Sequence, residues 1–170
     1  MRTFDPTVHN VLANHPATIA ALHWHRANFL TFDNLCNDPA TYFLLHNGKR
    51  EFTVEDVADG ATPSDFPTLA FIGEWSAPGV VEIHTMSLPR ARGNLIDDAK
   101  KLVHELFVDH GFDMVWGRTP FDNPVAQGFN LKIGAERCGE GHHPISGHVA
   151  YFRNYRACWL RDHCNQGVAS

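Results

Sequence analysis

The sequence predicts an α+β fold, with a mixed and mostly antiparallel sheet of about six to seven strands flanked by helices. Two observations about the order of elements predict it. Four strand-like runs follow the amino-terminal region. A helix, a strand, a second helix and two final strand-like runs follow them. This order predicts one sheet with helices packed on it.

A strand, a short basic loop and a helix follow one another near the middle of the chain. Residues 79–88 are rich in Val, Ile, Thr and Met with alternate polar positions, which predicts a strand. After Gly93, apolar residues recur at helical spacing. Because the first N–H groups of a helix lack intrahelical partners, Gly93 would let a phosphate approach the backbone while Arg90 and Arg92 supply charge. An ordinary strand-to-helix turn would show the same pattern.

A second strand and helix follow this segment. Residues 112–118 read as a strand, and a short helix runs from Asn123 to Gly134 with Pro124 near its start. Proline suits the first turn of a helix and glycine its end, so both boundaries are predicted by residue type.

Across residues 68–152 the chain resembles the GNAT family of acyl-CoA-dependent N-acyltransferases. The family's glycine-loop signature is Arg or Gln, two residues, Gly, one residue, then Gly or Ala. The chain matches it at Arg90 and Gly93 and has Leu95 at the last position. The sequence of residues 82–93 is most similar to that of GNAT-type proteins encoded by tailed bacteriophages.

The later signature of the family falls on the second helix. It is matched at Asn123, Ala126, Phe129 and Gly134. The family often has a tyrosine at the position that Asn130 occupies here. The departure puts the proton donor of the family in doubt, because an amide cannot donate a transferable proton at neutral pH.

The resemblance implies a GNAT fold in which the fourth and fifth strands splay apart and acetyl-CoA, or another acyl-CoA, enters as co-substrate. Its pyrophosphate would lie on the helix that begins near Gly93. Asp97 and Asp98 would repel it there, so we expect both on the solvent face. The implied co-substrate contacts are Met86, Leu88, Arg90, Arg92, Gly93, Asn94, Leu95, Asn123 and Phe129.

Strand alternation places two titratable side chains, Glu82 and His84, on the same face as Met86. Acyl transfer to an amine requires a base that removes the ammonium proton. Glu82 is the first candidate, directly or through a water, because acidic bases in the family often come from this strand. His84 is the second candidate. Structural roles for both residues are an equally good interpretation.

The acid that protonates the departing thiolate is left open. Tyr151 or Tyr155 could replace the missing tyrosine, water could protonate the thiolate, or the site could be inactive.

Composition limits the choice of architecture and partners. A chain of 170 residues with 44% hydrophobic residues predicts one domain over residues 1–170. A formal charge of −5 argues against a broad electrostatic surface for nucleic acid. A homodimer is compatible with the sequence.

The four cysteines are scattered, and the chain has no signal-peptide pattern and no apolar run long enough to span a bilayer. We therefore expect a reducing cytoplasm, which would be that of the host if a phage encodes the protein, and free thiols. Cys158 and Cys164 could pair only in an oxidising compartment.

Asn47-Gly48 stands between two strand-like runs, residues 41–46 and 50–55, and predicts a tight hairpin turn. The glycine-containing segment 139–147 predicts a mobile loop, which in the family helps to define the acceptor pocket.

The amino-terminal region predicts a broken helix that begins near Asp5 and Pro6. The resemblance lets Asn14, His15, Trp24 and His25 face the acceptor, although a core tryptophan with surface histidines is the simpler interpretation. The pairs His23/His25 and His142/His143 do not have a zinc-site spacing, so no metal is predicted.

Three functions remain open on the sequence alone. The first is an acyl-CoA-dependent N-acyltransferase acting on an amine whose identity the sequence does not give. The second is a catalytically silent GNAT-fold protein with a structural or interaction role in a phage. The third is a phage acyltransferase that modifies nucleobases, which the acidic charge balance makes less attractive.

Overall fold

A computed structural model describes residues 6–13, 42–48, 50, 52–53, 55–60, 64–88, 93–144 and 146–164. The predicted features at Asn14, His15, His23, Trp24, His25, Arg90 and Arg92 lie outside these residues. The described helices are α1 (Pro6–Ala13), a 3₁₀ helix (Glu55–Gly60), α2 (Leu95–Val108), α3 (Pro124–Lys132) and α4 (Arg156–Cys164). The described strands are β1 (Tyr42–His46), β2 (Leu69–Ala77), β3 (Val80–Ser87), β4 (Met114–Pro120), β5 (Glu136–His143) and β6 (Gly147–Tyr155).

The six described strands form one mixed sheet in the order β1-β2-β3-β4-β6-β5. The β1–β2, β4–β6 and β5–β6 pairs are antiparallel, whereas β3 and β4 are parallel. Parallel neighbours need a long crossover connection, and α2 lies in that connection. The paired register of β3 with β4 covers only Val80–Glu82 against Met114–Trp116. This short pairing agrees with the predicted splay of the fourth and fifth strands, which are β3 and β4 among the described strands.

The chain divides into two compact units. Each of β2, β3 and α2 has residues in both units. The first unit takes in the described residues up to Glu74 and residues 84–98. Its core is one cluster of buried apolar side chains, in which the rings of Phe52 and Phe66 meet edge to face at 4.8 Å. The cluster consists of Val8, Leu12, Leu44, Phe52, Phe66, Ala70, Ile72, Met86 and Leu88. Burial of such side chains stabilises the unit by about 1.5–3 kcal/mol for each large residue.

The second unit takes in residues 75–83 and the described residues from Ala99 onward. Helix α2 contributes its buried residues Leu102, Val103, Leu106 and Phe107 to this unit. The ring of Phe107 packs against Trp159 of α4 at 6.0 Å, and Phe112 packs against Trp75 at 4.8 Å. Helix α4 was not predicted from the sequence, because its apolar residues do not follow a clear helical stripe.

The predicted hairpin after β1 is wrong. Strand β1 pairs with β2, and the described residues between 50 and 60 contain a 3₁₀ helix instead of a returning strand. Asp56 holds this segment by accepting hydrogen bonds from Arg50 and from the Thr53 amide. The Arg50 bond, followed by that of Thr53, lowers the pKa of Asp56 to about 2. Local capping of the 3₁₀ helix therefore wins over strand propensity.

The predicted loop at residues 139–147 is also largely wrong. Residues 139–143 belong to β5 and pair with β6 as far as the His143–Gly147 pair. A Cβ atom added at Gly141 would lie 2.9 Å from Cε2 of Tyr151. This glycine therefore leaves room for an aromatic ring on the neighbouring strand, which is a common reason for glycine within a sheet.

No helix among the described residues is long and apolar enough to cross a bilayer. Two thiols, those of Cys138 and Cys158, are free.

Candidate functional site

The helix predicted after Gly93 is present as α2. Asp98 donates its backbone N–H to the Asn94 carbonyl at 2.9 Å, so the helical bonding begins at Asn94. Gly93 and Asn94 are exposed and Leu95 is half-buried. A Cβ atom at Gly93 would meet nothing within 4 Å among the described residues. The fold itself therefore does not require glycine at this position.

The two acidic residues of the first turn of α2 differ in their surroundings. Asp97 is exposed, as predicted, whereas Asp98 is half-buried. The carboxylate of Asp98 accepts a 2.9 Å hydrogen bond from the side-chain amide of Asn47. The prediction of a solvent-facing Asp98 is wrong because a residue far away in sequence supplies a donor for it.

The side chains of Met86 and Leu88 lie in the core of the first unit, where they are 0% and 7% exposed. The amide of Leu88 donates to the Thr68 carbonyl at 2.8 Å. That amide is therefore used within the fold, and the predicted contact of this segment with a co-substrate would have to use other backbone groups.

Glu82 is buried, with 4% of its surface exposed, and forms an ion pair with Arg118 of β4. The guanidinium Nη1 lies 3.0 Å from Oε1 and donates to Oε2 at 3.1 Å. Sequence reasoning missed Arg118. The available signal was its position in a short strand with Trp116 two residues earlier, which places both side chains on one face.

Tyr151 lies next to this ion pair in the sheet register. Its Cα is the antiparallel partner of Arg118, and partners in a sheet present their side chains on the same face. The half-buried Tyr151 ring also packs 6.3 Å from the ring of Trp116. Glu82, Arg118 and Tyr151 therefore occupy one face of three adjacent strands, β3, β4 and β6.

His84 lies two residues after Glu82 on β3 and belongs to the first unit. Its Nε2 is 3.6 Å from Oε2 of Glu74 on β2, and 25% of its side chain is exposed. The neighbouring carboxylate restricts the orientation of the imidazole ring.

The residues of the second signature hold α3 in place. Asn123 is the N-cap of α3, and its side-chain oxygen accepts the Ala126 amide at 3.0 Å. Phe129 is half-buried. Asn130, at the position of the family tyrosine, donates its side-chain amide to the buried Thr119 hydroxyl at 2.8 Å. The observed role of Asn130 is thus to attach α3 to β4.

The histidines of the final hairpin lie in β5. His142 is the register partner of His148, and His143 accepts a hydrogen bond from the Ser146 amide at 3.2 Å. His148 stacks on Phe121 with 4.2 Å between ring centroids and bonds Glu140 at 3.1 Å. These contacts stay within the hairpin and the end of β4.

No protein-family model matches the chain. No curated protein sequence matches it either. Solved structures do resemble it over nearly the whole of both chains. The aminoglycoside acetyltransferase AAC(6')-Ib in complex with coenzyme A and kanamycin has a TM-score of 0.67 at 15% identity, covering 95% of this chain and 96% of that one.

A second similar structure is spermidine N-acetyltransferase from Vibrio cholerae in complex with CoA and spermine. It has a TM-score of 0.67 at 8% identity, and the match covers 94% of this chain and 96% of that chain. A structure of AAC(6')-Ib with acetyl-CoA has a TM-score of 0.67 at 16% identity, with 96% of each chain covered. At these identities the likeness shows the fold, and it confirms the fold class predicted from the sequence.

Proposed function

We propose that this chain is an acyl-CoA-dependent N-acyltransferase that transfers an acetyl or other acyl group to an amine. The observation that carries the proposal is the likeness, over 94–96% of this chain, to acetyltransferase structures that contain CoA or acetyl-CoA. Fold alone does not establish function. The exposed Gly93 at the start of α2 adds support, because an anion could approach its backbone without meeting a side chain of the described residues.

The co-substrate would bind with its pyrophosphate against the backbone of Gly93, Asn94 and Leu95. The N-terminus of α2 offers unpaired N–H groups and the positive end of the helix dipole. Arg90 and Arg92 precede it in the sequence and supply charge. Carbonyl and amide groups near Met86 would meet the pantetheine arm. The assignment of Asn123 and Phe129 to the co-substrate stays a prediction from the resemblance.

We expect Gly93→Val to weaken CoA binding by about tenfold or more, because valine would block the approach of a phosphate to the backbone. A Cβ atom there meets nothing within 4 Å among the described residues, so the described part of the fold has room for the side chain. Isothermal titration with CoA and with acetyl-CoA measures the loss, and thermal unfolding checks the fold.

Gly139→Val is the matched control, because a Cβ atom at Gly139 also meets nothing within 4 Å and this residue lies on β5, outside the proposed site. Equal CoA affinity of Gly93→Val and the wild type would exclude this placement of the pyrophosphate.

In the reaction, the nitrogen of a neutral amine would attack the thioester carbonyl carbon, and the carbon–sulfur bond would break to release the thiolate. We assign removal of the ammonium proton to His84 in preference to Glu82. His84 is a quarter exposed and is oriented by Glu74, whereas the carboxylate of Glu82 is buried against Arg118. The buried carboxylate is therefore less accessible to an amine than the imidazole.

Tyr151 is our candidate for protonating the thiolate. It lies on the face that carries Glu82 and Arg118, and its hydroxyl can both donate and accept a proton. Release of free CoA thiol from acetyl-CoA, measured with spermidine, spermine and kanamycin as acceptors, tests the activity. These amines are chosen because the similar structures include a spermidine N-acetyltransferase and complexes with spermine and kanamycin.

One observation favours a second function, a CoA-binding protein without catalysis that acts as a phage structural or interaction component. Asn130 stands at the position of the family tyrosine and its amide is bonded to Thr119. CoA binding without thiol release with any amine would support this alternative. The phage origin and the host cytoplasm as its compartment are part of the proposal, supported by the resemblance of residues 82–93 to phage proteins.

A further inference from the structure

Asn47 uses every hydrogen-bonding position of its side chain. Its Oδ1 accepts the amides of Thr68 at 2.9 Å and Leu69 at 3.1 Å. Its Nδ2 donates to the Thr68 hydroxyl at 3.0 Å and to the Asp98 carboxylate at 2.9 Å. A side-chain amide has two donors and two acceptor positions, so this one is completely engaged. Such complete engagement fixes the orientation of the amide plane.

The same network reaches Leu88, at the end of β3, and Asp98, in the first turn of α2. The Thr68 carbonyl accepts the amide of Leu88, the last described residue before the loop. Asp98 lies in the first turn of α2, directly after the loop. Leu88, Thr68, Asn47 and Asp98 therefore form a continuous hydrogen-bonded chain within the first unit. We name this chain the Asn47 tether.

We propose that Asn47 and Asp98 are positioning residues for acyl-CoA binding, which fix the distance between the end of β3 and the N-terminus of α2. This inference rests on the proposed function. The Asn47 tether joins Leu88 to Asp98, so it holds the end of β3 and the first turn of α2 at a fixed separation within the first unit. An anion site that is held in its binding geometry loses less entropy when the ligand binds.

The proposed tether role of Asp98 and the charge of its carboxylate should have opposite effects on CoA binding. A carboxylate in the first turn stabilises the free helix but repels a bound phosphate. If charge alone mattered, removing Asp98 would strengthen CoA binding. If the Asn47 tether matters, removing Asp98 weakens binding in spite of the lost repulsion. The two effects have opposite signs, so one measurement separates them.

Three variants isolate the tether from the charge. Asp98→Ala removes both the charge and the hydrogen bond. Asp98→Asn removes the charge but keeps an oxygen that can accept from Asn47. Asp97→Ala is the matched control, because the neighbouring Asp97 is exposed and carries the same charge in the same turn. Titration with CoA at fixed ionic strength gives the affinity, and thermal unfolding reports stability separately.

We expect Asp98→Ala to bind CoA about tenfold more weakly than the wild type, the effect of one lost charge-assisted hydrogen bond. Asp98→Asn should stay within about threefold of the wild type, and Asp97→Ala should bind equally well or more tightly. Asn47→Ala should resemble Asp98→Ala, and the double variant should be no weaker than either single one, because both remove the same link.

Equal CoA affinity of Asp98→Ala and Asp97→Ala, with the wild type binding CoA, would overturn the positioning role and leave the proposed function intact. Failure of the wild type to bind CoA would overturn both. If Asn47→Ala does not fold, because the amides of Thr68 and Leu69 lose their acceptor, the three aspartate variants still decide the question.

Discussion

Replacing His84 with glutamine should lower the rate of acetyl transfer to an amine by about 10²- to 10⁴-fold, the usual contribution of a general base. The imidazole is paired with Glu74 at 3.6 Å and is a quarter exposed, so it can take a proton and return it to solvent. Glutamine retains polarity and approximate size but cannot accept a proton at neutral pH. The affinity for CoA should hardly change, because His84 is not among the proposed phosphate contacts.

Glu82→Gln is the informative comparison, because Glu82 was the base preferred on sequence grounds. Glutamine keeps an oxygen that can accept from Arg118 and changes only the charge. We expect a smaller loss of rate in Glu82→Gln than in His84→Gln when free thiol is followed across pH. A full loss in Glu82→Gln with near-normal turnover in His84→Gln would return the role of base to Glu82.

Local pattern predicted the elements that depend on near neighbours in sequence. The strand at residues 79–88, the helix after Gly93 and the capped helix α3 follow from alternation, helical spacing and the Asn123-Pro124 start. In each case the deciding residues lie within a few positions of one another. The fold class followed from the order of these elements and from the resemblance, and the solved structures confirm it.

Features that depend on distant partners were missed or wrong. Asn47 was assigned to a turn, but its partners Thr68 and Asp98 lie 21 and 51 residues away. Arg118 was overlooked because its carboxylate is 36 residues earlier in the chain. Gly141 indicated a loop, although the ring that requires it belongs to another strand. Local periodicity indicates the face of a strand but not the partner across it, so each of these contacts depends on the tertiary register.

We expect the removal of the partly exposed Arg118 charge to lower the free energy of unfolding more than the removal of other partly exposed charges of the sheet. In Arg118→Met the carboxylate of Glu82, 4% exposed, stays in place without its guanidinium. Breaking a largely buried pair from one side costs about 3 kcal/mol of unfolding free energy, because the remaining charge stays desolvated after it has lost this partner. Urea unfolding with an unchanged m-value measures this loss as a lower midpoint.

Arg153→Met is the matched control for that loss. Arg153 pairs with Glu136 at 2.7 Å, but the two side chains are 40% and 60% exposed. An exposed pair of this kind contributes little to stability, so its removal should shift the midpoint little. The double variant Glu82→Gln/Arg118→Met should recover most of the stability, since no buried charge is then left unpaired.

Equal losses in Arg118→Met and Arg153→Met would mean that the Glu82 carboxylate remains solvated without Arg118. Glu82 would then be accessible enough to compete with His84 as the base, so the stability of Arg118→Met also bears on the choice of base.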